Sequence, residues 1–254
     1  MPFSVRQSVE AFHLIFLRAL FAKGDDKSAF VLKGGCNLRF FFHSMRYSED
    51  VDIDVGVVAR ETLKNKVDRL LRSPAVVGPL KTLGIEIVDL SAPKQTETTQ
   101  RWKAGLRTQG LSVALRTKIE FSRRASSVGT AFEAVDRQVV SSYALTPFLA
   151  MHYATAAAIE QKIHALAQRA LPQARDVFDL NLLFARPDAA ALKLSAKDKR
   201  WLPDAIEHAL GISFDEYTAQ VVDFLDPGQR EIFEQRAAFD AMQSAVVERL
   251  ESLQ

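Results

Sequence analysis

The sequence predicts an α+β N-terminal part of about 145 residues and a helical C-terminal part of about 110. Two observations carry this. Short apolar or alternating runs ("AFVLKGG", "DVDIDV", "GIEIVDL", "LRTKIEFS") are interleaved with helical patterns up to about Thr146. Beyond that point Ala and Leu dominate and strand patterns vanish.

Taken in order, Ser4 to Ala22 has apolar residues at Val9, Phe12, Ile15, Phe16, Ala19 and Leu20, the spacing of one helix face, with Ser4 placed to cap it. "AFVLKGG" reads as a strand running into a tight turn, and "CNLRFFFHS" as a short helix. Asp50 to Val57 is the next strand, and Glu61 to Leu71 a helix with Leu63, Val67, Leu70 and Leu71 on its apolar side. Gly84 to Leu90 is a strand. Ser91 to Gly110, polar and mixed, is either a loop or a hairpin arm. "LSVALRTKIEFS" puts Val113, Leu115, Thr117, Ile119 and Phe121 on one side and Ala114, Arg116, Lys118 and Glu120 on the other. The C-terminal part reads as helices in "FLAMHYATAAAIEQKIHALAQRAL", "ARDVFDLNLLFA" and "REIFEQRAAFDAMQSAVVERLESL", separated by breaks at Pro187, Pro203 and Pro227.

Composition narrows the function. A hydrophobic share of 48% with 25% charged residues is globular. The net charge of +2 gives no global pull toward a polyanion, although 33 Lys and Arg against 31 Asp and Glu leave room for a local basic surface. With Cys36 as the single cysteine, an internal disulfide is excluded and a Cys-built zinc site is disfavoured. The start lacks the pattern of a secretory signal, and no apolar run approaches the roughly 20 residues that span a bilayer. The expected location is the cytoplasm, with no membrane partner. The five histidines show no metal spacing and receive no role.

The chemistry is concentrated in "RYSEDVDIDV". In a strand, Asp50, Asp52 and Asp54 share one face and Val51, Ile53 and Val55 the other. Strands are poor in Asp, and like charges side by side repel. Alone, such acids read as charges guarding a sheet edge. A bound divalent cation removes the repulsion, and Mg²⁺ favours carboxylate oxygens together with substrate phosphates. Two such ions can clamp the attacking and leaving oxygens of a phosphoryl displacement. Glu120, on the polar side of its strand, is the candidate third carboxylate; the competing reading pairs it with Arg116 or Lys118 as a surface ion pair. Asp54 is expected either to support the site from behind or to face water. Upstream, Lys33, Gly34 and Gly35 lie between a strand and a helix, where glycine lets backbone approach a ligand and a helix start offers free N–H groups to phosphate. Arg101, Trp102, Lys103, Arg107, Arg116, Arg123 and Arg124 form a candidate landing surface for nucleic acid, combining cations with an aromatic.

"LKGGCNLRFFFHSMRYSEDVDIDV" and, later, "EQKIHALAQRALPQARDVFDLNLL" together resemble the AbiEii/AbiGii nucleotidyltransferase toxins, a branch of the DNA polymerase β-like superfamily. The resemblance spans about Lys33 to Leu183. It implies a nucleotidyltransferase-like domain with a mixed sheet and flanking helices over residues 1–145, followed by a helical domain over 146–254. It implies transfer of a nucleoside monophosphate from an NTP with release of pyrophosphate, dependent on Mg²⁺ (two ions). The acceptor it implies is RNA, above all the tRNA 3′ end, in a toxin that has a cognate antitoxin protein. By position, Asp50 and Asp52 match the metal-binding strand, Gly34 and Gly35 the phosphate turn and Ser48 the residue beside the metals. Lys162 and Asp176 match later catalytic positions. Arg46, Arg175 and Asp179 fall within the motifs as nucleotide-binding candidates. Each of these C-terminal charges, seen alone, would read as ordinary helix surface. Cys36 departs from the Thr or Ser usual after the two glycines, which leaves it either a weaker phosphate contact or a small buried residue. Two alternatives stay open: a protein or small-molecule acceptor, and a non-catalytic nucleotide- or partner-binding module.

Overall fold

A computed structural model describes residues 3–22, 28–123 and 129–254. They divide into two compact units, Met1–His43 with Tyr47–Tyr153, and Ser44–Arg46 with Ala154–Gln254.

In chain order the first unit contains α1 (Val5–Phe21), β1 (Phe30–Lys33), α2 (Gly34–Phe41), β2 (Asp50–Val55), α3 (Arg60–Leu71) and α4 (Pro74–Thr82). There follow β3 (Ile85–Gln95), β4 (Thr99–Thr108), β5 (Leu115–Ser122), β6 (Thr130–Ala134), α5 (Arg137–Ser141) and β7 (Leu149–Tyr153). The strands form one seven-stranded mixed sheet in the order β3-β4-β5-β2-β1-β7-β6. β2 runs parallel to β5 and antiparallel to β1; β7 runs parallel to β1 and antiparallel to β6. The α+β architecture expected from sequence is thus observed.

Ser4 caps α1 through a reciprocal box with Gln7. The helix packs on α3, α4, β5 and β7, and its Phe12, Ile15 and Phe16 are fully buried. They join a core with Val51, Ile53 and Val55 of β2, Ile119 and Phe121 of β5, and Trp102 and Leu106 of β4. Burying each such side chain contributes about 1.5–3 kcal/mol, which fixes which face of β2 turns inward. The other face of β2 is left to the carboxylates.

Of the two readings open for Ser91–Gly110, the hairpin arm is observed, β3 joined to β4. Three details differ from the sequence reading. Leu149–Tyr153 is a strand, inside a stretch read as helix. Its Ala-rich composition favours helix, but pairing with β1 and β6 on both sides overrides that propensity. α4 and β6 had no clear local signal: α4 contains Pro79, and β6 is a short edge strand. Val113 lies before β5 and is exposed, not part of its apolar side.

The second unit is helical: α6 (Thr155–Gln168), α7 (Ala174–Phe184), α8 (Ala196–Lys199), α9 (Leu202–Gly211), α10 (Phe214–Gln220), α11 (Pro227–Phe233) and α12 (Arg236–Ser252), with two short 3-10 turns. α6 and α12 each pack on α7 and α9, around Ile159, Ile163, Leu180, Ala205 and Leu250. Pro187, Pro203 and Pro227 sit in the first turns of their helices, where proline's missing N–H costs nothing. Among the described residues, no helix is long and apolar enough to cross a membrane.

Candidate active site

Strand register assembles the polar face. Lys33 of β1 is opposite Asp52 of β2, Asp52 is opposite Glu120 of β5, Glu120 is opposite Arg101 of β4, and Arg101 is opposite Lys94 of β3. One row therefore runs cation, acid, acid, cation, cation across five strands. In the neighbouring row Asp50 is opposite Lys118, which is opposite Lys103. The structure thus brings Asp50, Asp52 and Glu120 onto one sheet face, as expected. Two of the three are ion-paired: Lys118 Nζ is 2.7 Å from Asp50 Oδ2, and Arg101 is 2.5–2.6 Å from Glu120 Oε2. The surface partner of Glu120 is therefore Arg101, not Arg116 or Lys118. Burial pushes the Asp52 carboxyl above the usual carboxylate range; Lys33 pulls it down, while Asp50 and Glu120 push it further up. Among the described residues no three His, Cys, Asp or Glu side chains already converge as a metal cluster.

Gly34 and Gly35 form the first turn of α2, with no separate turn before the helix. Gly34 has φ +67°, and a Cβ there would stand 3.0 Å from Asp52 Oδ2. Glycine is required twice, for the left-handed backbone and for the approach to the carboxylate. Gly34→Ala is expected to cost about 1–3 kcal/mol in chemical denaturation. A variant as stable as the parent would show that α2 can shift away from β2.

Asp54 does not face water. It is 4% exposed, ion-paired to Lys33, and accepts a hydrogen bond from Tyr153 Oη at 2.7 Å. Its strand position allowed either outcome; the partner that buries it, on β7, lies in the stretch read as helix. Ser48 donates to the backbone carbonyl of Asp50 at 2.9 Å. Cys36 is fully buried, and burial pushes its thiol pKa up, so it is the small buried residue and not a phosphate contact.

The second unit holds a different charge cluster. Asp176 and Asp179, one turn apart on α7, are fully buried. Lys162 of α6 bridges them, at 2.9 Å from Asp176 Oδ1 and 2.6 Å from Asp179 Oδ2. Arg46 lies 3.3 Å from Asp179, and Arg169 lies 3.1 Å from Asp176. Burial pulls the Lys162 ammonium down, but the two carboxylates outweigh it and hold its pKa above the ordinary value. Arg46, Lys162, Asp176 and Asp179 are thus brought together, not left as separate surface charges. Arg175, on the same helix and partly exposed, makes no ion pair among the described residues. Arg169 and Lys118 were missed; only a register or a neighbouring turn could have revealed them.

The landing surface is narrower than expected. Trp102 is 2% exposed on the core face, with its indole N–H donating to Asp68 Oδ1 at 2.7 Å, so it offers no base a platform. Alternation along β4 dictates this, because Arg101 and Lys103 take the polar side. Arg123 is partly buried and donates to Val58 O and Gln100 Oε1. Arg124 lies outside the described residues. Arg107 and Arg116 are exposed but paired with Glu86 and Asp89. Lys94 and Lys103 are exposed on the same face and make no ion pair among the described residues.

The comparisons agree with this architecture. In fold the chain is similar to Helicobacter pylori JHP933, at 17% identity and TM-score 0.59, over 99% of this chain and 96% of that one. It is similar also to a Helicobacter pylori protein described as a candidate nucleotidyltransferase, at 18% identity and TM-score 0.56, over 96% of each chain. No curated protein matches it. The family model described as nucleotidyl transferase AbiEii toxin, type IV toxin–antitoxin system, matches residues 15–252. With a match over nearly its whole length, the chain belongs to the AbiEii nucleotidyltransferase toxin family of type IV toxin–antitoxin systems.

Proposed function

We propose that the protein transfers a nucleoside monophosphate from an NTP to an RNA acceptor, the tRNA 3′ end foremost, in a Mg²⁺-dependent reaction, as the toxin partner of a cognate antitoxin. The acceptor hydroxyl attacks the α-phosphorus and loses its proton; the bond from the α-phosphorus to the bridging oxygen breaks, and pyrophosphate leaves. The observation that carries this reading is the register that sets Asp52 beside Glu120 with Asp50 one position along.

The donor set fits the metal. Asp50, Asp52 and Glu120 are hard-oxygen ligands; burial chiefly, with repulsion from Asp50 and Glu120 added, lifts the Asp52 pKa, and a divalent cation would relieve that repulsion. These three would hold it, with Lys118 and Arg101 giving up their present partners. A bound Mg²⁺ supplies charge neutralisation and Lewis acidity toward the phosphates. Lys33 stands opposite Asp52, and Gly34 and Gly35 offer helix-start N–H groups there, an arrangement suited to phosphate. In the second unit, Arg46, Lys162 and Arg169 gather about Asp176 and Asp179, and this cluster of cations supports an anion-binding role. On this reading Lys162 and Asp176 act in catalysis, and Arg46, Arg175 and Asp179 in nucleotide binding. Lys94 and Lys103 favour a polyanionic acceptor, and binding through such phosphate contacts weakens with salt.

Incubating the protein with each α-labelled NTP and total cell extract tests the reading. Label is expected on tRNA and lost with chelator. Label on protein or a small metabolite would replace the acceptor; nucleotide binding without pyrophosphate release would replace catalysis by binding alone.

A further inference from the structure

Asp50 opens β2 where the sheet cannot hold both sides of its backbone. It is opposite Lys118 on β5, but β1 ends at Lys33, opposite Asp52, so the Asp50 peptide has no β1 neighbour. Side chains take that place. The Asp50 carbonyl accepts from Ser48 Oγ at 2.9 Å and from Cys36 Sγ at 3.2 Å. One residue earlier, the Glu49 carbonyl accepts from Thr117 Oγ1 at 2.7 Å.

These donors are linked behind the strand. His13 Nε2 lies 2.7 Å from Thr117 Oγ1, and His13 Nδ1 lies 3.6 Å from Cys36 Sγ. Thr117 gives its hydroxyl proton to Glu49, so the proton between His13 and Thr117 belongs to Nε2. The one Cys36 S–H goes to the Asp50 carbonyl, so His13 Nδ1 packs against Sγ without a proton between them. The arc thus draws on α1, α2, the approach to β2, and β5. His13, Cys36 and Thr117 are all buried. Burial lowers the His13 pKa to about 3 and raises that of the thiol, so the arc is uncharged at neutral pH.

We infer that His13, Cys36, Ser48 and Thr117 are positioning residues for Asp50, fixing the backbone from which its carboxylate reaches a divalent cation. This rests on the reading of Asp50 and Asp52 as cation ligands. It gives Cys36 a task unrelated to phosphate contact, and gives His13 a role that metal spacing could not reveal. Groups that orient metal ligands typically set affinity by about 10–100-fold.

The test uses the full chain and Mn²⁺ alone, titrated by calorimetry or by electron paramagnetic resonance, with circular dichroism confirming the fold. Thr117→Val, Cys36→Ala and Ser48→Ala are each expected to weaken Mn²⁺ binding by about 10-fold or more. Cys36→Ser, whose hydroxyl can donate to the same carbonyl, is expected to bind within a few-fold of the parent. Should a core variant fail to fold, Ser48→Ala, at a partly exposed position, still decides the matter. Parental Mn²⁺ affinity in the folded variants overturns the inference while leaving the cation site standing. If the parent itself binds no Mn²⁺, the reading of Asp50 and Asp52 falls, and this inference with it.

Discussion

Asp52→Asn is expected to lower nucleotidyl transfer on the order of a thousandfold, about 4 kcal/mol of barrier, while leaving the protein at least as stable as the parent. The two effects share one cause. Asp52 sits between Lys33 and Glu120 in register, and burial together with Asp50 and Glu120 disfavours its charge. Asparagine keeps the shape, removes that repulsion and removes the ligand. Sites that store such unfavourable charge for function commonly trade stability for activity. Transfer rates and melting temperatures of parent and variant, measured side by side, check both halves. Parental activity in Asp52→Asn would remove the carboxylate pair from the mechanism. A loss of activity with a large loss of stability would mean that the residue is chiefly structural.

The second large effect lies in the helical unit. Asp179→Ala leaves Lys162 and Arg46 buried with one compensating acid fewer, and breaking such a pair typically costs about 3–5 kcal/mol. For a chain of this size that is roughly a 10 °C fall in melting temperature. The pH dependence has a definite sign. Burial pushes the Asp179 pKa up, but Lys162 and Arg46 outweigh it and hold the pKa below its ordinary value. A depressed carboxylate contributes stability above its unfolded pKa, and that contribution is lost as pH falls through the folded value. The parent's advantage should therefore be full at pH 7 and shrink in acid. Denaturant melts at pH 7 and at pH values below the ordinary carboxylate value of 3.8, with hydrogen exchange of α6 and α7, test this. A gap that does not change with pH would assign the loss to the cavity and not to charge.

Much of the first unit was legible because its signals are local. The alternation of β2, the alternation of β5 and the capped periodicity of α1 each need only a window of neighbours, and each is observed. Asp50, Asp52 and Glu120 could be placed on polar faces for the same reason. What could not be read was register. Asp52 stands beside Glu120, and Lys118 beside Asp50, through pairings between segments some 70 residues apart in sequence. No local pattern encodes such an offset. Trp102 and Asp54 were obscured earlier, where elements are assigned. With Ser91–Gly110 open between loop and hairpin arm, the alternation that turns Trp102 to the core could not be applied. Asp54's partner Tyr153 belongs to a strand disguised by helix-favouring residues. In the helical unit, the motif resemblance singled out Asp176 and Asp179, one turn apart on α7. Only packing of α6 on α7 showed that both would be buried around Lys162.

The alternation of β2 has a further consequence for how the chain reaches its native state. Slipping β2 by a single residue against β1 and β5 would exchange its two faces. Three carboxylates would enter the apolar core, and Val51, Ile53 and Val55, now almost wholly buried, would meet water. A misaligned molecule therefore could not persist as a well-folded but inert isomer, since the error that dismantles the acidic face also dismantles the interior. Correct assembly of the sheet acts as its own inspection step. Chains that pass it carry Asp50 and Asp52 on the face where Glu120 waits.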